Sequence, residues 1–190
     1  MTNICLIRHG ETDWNVLGKI QGKTDIPLNA NGIKQASMCR DYLKAFDWDV
    51  IITSPLIRAK KTADIINEPL QLELIEMEEF MEKSFGDAEG KTREEREKLY
   101  PNLEYPNQES RSDLINRIMI GLEKILLKFP NQNVLLVAHG AVIHTLLHTL
   151  LDDQNELNNT YLKNACISNI FYQENKWNVK NYNIVDHLSI

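Results

Sequence analysis

The 190-residue sequence predicts an α/β fold, a three-layer α/β/α arrangement about a mostly parallel central sheet. Three observations predict it. Short apolar runs of strand length alternate with stretches whose apolar residues recur at helical spacing. Two of those runs, ICLIRHG and NVLLVAHG, end in the same His-Gly pair. No internal repeat, low-complexity stretch or linker interrupts the alternation, so residues 1–190 read as one domain.

Asn3 to Ile7 reads as a short buried strand. From Asn31 to Phe46, the apolar positions Ile33, Ala36, Met38, Tyr42 and Leu43 mark an amphipathic helix. Asp49 to Thr53 is a second buried strand, followed by SPLIRAKKTADII, with Ser54 placed as N-cap and Pro55 at the first helical position. Leu70 to Met77 reads as a third strand. Thr92 and Glu95 form a capping-box pattern for a short helix that must end near Pro101. Tyr100 to Ser112 is polar and holds two prolines, so it reads as a surface loop. A long helix follows, its apolar face running from Leu114 and Ile118 through Leu122 and Ile125 to Phe129. NVLLVAHG is another buried strand, Ala141 to Leu151 is helical, and CISNIFYQENKWNVKNY reads as two strands joined by a polar turn.

Composition narrows the function. Forty-three per cent hydrophobic and 25 per cent charged residues are ordinary for a globular chain long enough to bury one full core. A net charge of −6 argues against nucleic acid or an anionic membrane as a partner, so an anionic ligand must be held by a few placed cations. Cys5, Cys39 and Cys166 are odd in number and lack CxxC spacing, which points to buried thiols in a reducing compartment. Neither a signal peptide nor an apolar run of membrane length is present, and a cytoplasmic protein is expected. The sequon Asn158-Asn159-Thr160 then reads as accidental.

The chemistry is expected at the strand ends. In open α/β sheets ligands bind outside the carboxyl ends of the strands. His9 and His139 would meet there, and Arg58 lies about one turn into the helix after the Asp49–Thr53 strand. A cluster of Arg8, His9, Arg58 and His139 suits a tetrahedral dianion, with two guanidinium forks to grip it. One histidine would act as nucleophile and the other as donor, and backbone N–H groups near Gly140 would add favourable dipoles.

RHGETDWN, QGKTDIPLNANG, TSPLIRAKKTA, EKSFGDAEG and VAHG, in that order, resemble the histidine phosphatase (phosphoglycerate-mutase-like) superfamily. The resemblance spans most of the chain and implies the phosphoglycerate-mutase-like fold. It implies that His9 becomes phosphorylated, that Arg8, Arg58 and His139 form the phosphate pocket, and that Asn15, Gln21 and Gly22 line the substrate side. Glu82 matches the general acid/base, with Glu79 the fallback among neighbouring glutamates. Glu109-Ser110 and Arg117 match the segment opening the long helix, although Asn107-Gln108 stand where glycines are usual. The implied partner is a small phosphorylated substrate or inorganic phosphate, with neither metal nor cofactor required.

These readings favour a phosphomonoesterase, because the short interval between Gly90 and the long helix leaves little chain to close the pocket mouth. The alternative is a phosphoglycerate mutase, and the rival from another class is a non-catalytic phosphate-binding protein. Lys60 and Lys61 are candidates for extra charge beside Arg58. Selectivity is expected to lie in Ser84 to Asp87 and in the Tyr100–Ser112 loop. GKIQGKT is not a P-loop, since only three residues separate Gly18 from Gly22. His144 and His148, four apart on a helix, have no completing carboxylate or cysteine nearby and read as packing or surface residues. The tail strands leave edges that suit a monomer or a homodimer.

Overall fold

The computed structural model describes residues 1–151, 157 and 160–188. Asn158 and Asn159 of the sequon lie outside the described residues. Six strands form one sheet in the order β3-β2-β4-β1-β5-β6, with β1 at Thr2–Arg8, β2 at Val50–Thr53, β3 at Leu74–Glu76, β4 at Asn133–Ala138, β5 at Ile167–Gln173 and β6 at Lys176–Ile184. The first four in that order are parallel, while β5 runs antiparallel to both β1 and β6. The helices are α1 (Asp13–Val16), α2 (Ala30–Leu43), α3 (Ile57–Asn67), α4 (Arg93–Leu99), α5 (Arg111–Lys128) and α6 (Gly140–Leu150).

Side chains on a strand alternate between faces, and the core follows that period. Ile4 and Leu6 of β1 join Val134, Leu136 and Ala138 of β4 in a cluster under α5 and α6. Cys5 and Ile7 join Leu135 and Val137 in the cluster under α2 and α3. Both faces are covered, which is why the central strands read as unbroken apolar runs. The three cysteines are buried free thiols, and burial pushes Cys39 up to about 12 and Cys166 up to about 11.

Beside β4, β1 leads through α2 toward β2 on one side, and β4 leads through α6 toward β5 on the other. The connections part at this pair, which opens a crevice at the carboxyl ends of β1 and β4. Arg8 pairs in register with Ala138, and the backbone N–H of His9 donates to the Ala138 carbonyl at 3.0 Å.

Two helix starts differ from expectation. The helix after β2 begins at Ile57, and its capping position is held by Leu56, which has no side-chain acceptor. Asp25, from a distant loop, supplies the missing acceptor, taking the Ile57 N–H at 2.8 Å. Ser54 instead turns inward to His139. The short α1 was not expected, and Thr12 and Asn15 close it with a reciprocal capping box. The box expected at Thr92 and Glu95 is present.

Candidate active site

A cleft of about 700 Å³ opens at the crevice, and Arg8, His9, Arg58 and Glu82 all line it. His9 is buried, and its Nδ1 donates to the carbonyl of Gly10 at 2.7 Å. A carbonyl only accepts, so Nδ1 carries the proton and Nε2 keeps its lone pair. Burial first, then the charges of Arg58 and Arg8, hold His9 well below the usual histidine range, against the opposing pull of the Gly10 carbonyl. The imidazole is therefore neutral at neutral pH.

His139 is completely buried beside His9 and does not itself line the cleft; the two ring centroids are 5.2 Å apart. Its Nε2 lies 2.7 Å from the hydroxyl of Ser54, whose oxygen also accepts the Leu56 N–H at 3.3 Å. Nδ1 of His139 is a buried atom without a partner, and it carries the ring proton when the Ser54 hydroxyl donates to Nε2. Burial and then the Arg58 charge hold this ring, too, well below its ordinary range.

The two guanidinium groups are anchored by backbone carbonyls. Arg58 donates to Gly22 at 2.7 Å and Thr24 at 2.9 Å, and Arg8 donates to Leu162. Burial lowers Arg58 from its ordinary value, although nearby Glu82 opposes that effect. In both arginines Nε is buried and unpaired. Gly140 makes room for this arrangement, because a Cβ there would lie 3.3 Å from Arg8 Nε.

Glu82 accepts from the backbone N–H groups of Lys83 at 2.9 Å, Ala141 at 3.1 Å and Val142 at 3.2 Å. It thus takes two of the α6 N–H groups expected to face an anion. Arg117 holds this segment, donating to the carbonyls of Glu79 at 2.8 Å, Met81 at 2.7 Å and Glu82 at 3.2 Å. Its other face grips Glu109 through Nε at 2.6 Å and Nη2 at 2.9 Å. The fallback, Glu79, is paired with Lys124 and does not line the cleft.

Asn15, Gln21, Gly22 and Gly140 also line the cleft. Asn15 spends its Oδ1 on Thr12 and on Asn164 at 3.2 Å, while Gln21 Oε1 is buried and unpaired. Gly22 has a φ of +53°, and a Cβ there would lie 2.0 Å from Glu89 Oε1. Glu89, overlooked in the sequence, clamps this loop by accepting from the backbone N–H groups of Lys23, Thr24 and Phe85.

Of the two segments expected to set selectivity, only Phe85 and Arg111 reach the cleft. Lys60 pairs with Glu76 on the surface, and neither it nor Lys61 lines the cleft. His144 and His148, read from the sequence as packing or surface residues, are part of the cleft wall. Their signal was the helical register that carries them along the same α6 face toward Gly140.

Among the described residues, six buried side-chain polar atoms lack a partner, and five belong to Arg8, Gln21, Arg58, Arg96 and His139. Buried polar groups are normally paired, so the Nε donors left unpaired on Arg8, Arg58 and Arg96, all three lining the cleft, mark a site for an acceptor-rich ligand.

The family profile described as "Histidine phosphatase superfamily (branch 1)" matches residues 4–185. The "Uncharacterized phosphatase PhoE" of Bacillus subtilis is 56% identical over 189 residues, covering 100% of this chain and 98% of that protein. The "Probable phosphoglycerate mutase GpmB" of Proteus mirabilis is 34% identical, covering 93% of this chain and 88% of its own. Among solved structures, a phosphoserine phosphatase mutant from Entamoeba histolytica in complex with phosphoserine superposes with a TM-score of 0.86 at 32% identity, covering 100% of both chains.

Proposed function

The chain belongs to branch 1 of the histidine phosphatase superfamily, and on that premise we propose that it hydrolyses a small phosphomonoester through a phosphohistidine on His9. The observation that carries this reading is the His9 ring, neutral and held by Gly10 so that Nε2 is the free base. Nε2 attacks phosphorus in line. As the N–P bond forms, the bond to the ester oxygen breaks, and Glu82 gives its carboxyl proton to the departing alcohol. Water then attacks the phosphoryl group and gives a proton to the Glu82 carboxylate, and orthophosphate leaves with His9 restored. Arg8 and Arg58 supply donors to the equatorial oxygens, where charge gathers in the transition state, and His139, just behind the cleft wall against His9, adds its Nδ1–H where the bound phosphoryl group reaches it. Arg117 acts through Glu82, keeping its backbone in place.

Supporting hydrolysis over return of the phosphoryl group to substrate is the small amount of chain at the cleft mouth. Between Gly90 and α5 the one helix is the seven-residue α4. Turnover of p-nitrophenyl phosphate by the wild type, with acid-labile label trapped on His9 from labelled ester, is the expected result. His9→Ala is expected to lose the label and at least about a thousandfold in kcat. Full activity in that variant sinks the proposal, and interconversion of the two phosphoglycerates in place of hydrolysis moves it to a mutase.

A further inference from the structure

The cleft carries more positive charge than one phosphoryl group needs. Six lysines and arginines line it, Arg8, Lys19, Arg58, Lys83, Arg96 and Arg111, against the single carboxylate of Glu82. Among the described residues none of the six makes a salt bridge, although seven ion-pair contacts form elsewhere. In a chain of net charge −6 this is a local concentration of unpaired cations.

Far from His9 the cations become organised. Arg111, the first residue of α5, donates through Nη2 to Nδ1 of His148 at 3.1 Å. Nδ1 is thereby the acceptor, so the ring proton of His148 sits on Nε2. The pair then offers only donors: the remaining guanidinium N–H groups and one imidazole N–H. His144 stands behind, its ring centroid 6.2 Å from that of His148 and its Nε2 donating to the Leu157 carbonyl at 3.4 Å. A metal ion does not fit, since the His148 Nδ1 lone pair is already used by a guanidinium cation. An oxyanion does. Asp113 shares the first turn of α5, but its carboxylate accepts from the Ser110 hydroxyl at 2.7 Å and does not line the cleft.

The separation follows from the helix. Gly140 packs against Arg8, and His148 lies eight residues further along α6, about 12 Å at roughly 1.5 Å per residue. A three-carbon skeleton does not bridge that span.

We propose that the substrate carries two oxyanionic groups, the phosphoryl group attacked by His9 and a second, on the order of 10 Å away, bound by Arg111 and His148. This deepens the phosphatase reading and rests on it for the position of the first group. The test is calorimetric binding of α,ω-alkanediphosphonates of three, six and eight carbons, which are not hydrolysed, each compared with its alkyl monophosphonate. In the wild type the second phosphonate is expected to tighten binding at least tenfold for the eight-carbon compound and not for the three-carbon one. Arg111→Ala and His148→Ala are each expected to bring that ratio close to one, and Arg111→Lys to retain part of it. Arg111 is exposed, so its loss does not threaten the core. No gain at eight carbons, or an equal gain in Arg111→Ala, overturns the proposal. Turnover of p-nitrophenyl phosphate by the wild type reads the phosphatase assignment separately, so the two can fail independently.

Discussion

The ends of β1 and β4 look alike in sequence and differ in chemistry. Each finishes in His-Gly, they lie side by side, and both rings are buried and neutral. At the β1 end a carbonyl accepts the hydrogen bond of Nδ1–H, and Nε2 is left as a base on the cleft wall. At the β4 end Ser54 occupies Nε2, and Nδ1 is left buried and unpaired. The glycines divide as well. Gly10 lets the chain pack on α2, where a Cβ would lie 2.4 Å from the Gly32 carbonyl oxygen, whereas Gly140 makes room for the Arg8 side chain. In the proposed mechanism the same dipeptide supplies the nucleophile at one strand end and a donor at the other, according to which nitrogen a neighbour occupies.

That contrast breaks first on the donor side. His139→Ala is expected to lower kcat by about a hundred- to a thousandfold, as removal of an oxyanion donor does, while still trapping some label on His9. Ser54→Ala, which frees the His139 tautomer, is expected to lose about tenfold, the worth of one hydrogen bond. Loss of all label in His139→Ala would show that the two rings do not divide the work.

The glycines give a smaller, crossed pair of effects. Gly10→Ala is expected to destabilise the fold by about 1–3 kcal/mol through overpacking, read as a lower denaturant midpoint. Gly140→Ala nudges Arg8 by a few tenths of an ångström, and the expected outcome is a few-fold rise in KM with the midpoint nearly unchanged.

Acid is the mildest probe. Both rings are held well below the ordinary histidine value of 6.5, chiefly by burial. Below about pH 6.5 the unfolded chain therefore binds protons that the folded chain refuses, and stability falls as pH falls. The slope is at most about 1.4 kcal/mol per pH unit for each histidine. Thermal melts from pH 7.5 to 5.5 should show the fall, and vanadate should oppose it by supplying the anion that an imidazolium favours. Melts that are flat across this range would mean that the two rings titrate as in water.

Much of this was legible because strand period and local capping are short-range properties. The alternation of Ile4 and Leu6 against Cys5 and Ile7 followed from the pleat, and Thr92 capped α4 as its spacing requires. The family resemblance, through its register against FGDAEG, singled out Glu82 over Glu79, and of the two only Glu82 lines the cleft. What eluded the sequence acts across long chain separations. Asp25 caps α3 from 32 residues away, Glu89 clamps the Gly22 loop, and Arg117 reaches back 35 residues to the Glu82 carbonyl. His144 and His148 read as ordinary helix residues because nothing nearby in the chain reveals that Arg111 stands opposite.

The sequence by itself determined which strands are buried and which residue types gather at their ends, since burial period and strand direction are local consequences of side-chain order. Only the tertiary structure decided which imidazole nitrogen is free at each strand end. That choice depends on whether a carbonyl from the next residue or a hydroxyl from another strand's end comes within hydrogen-bond distance.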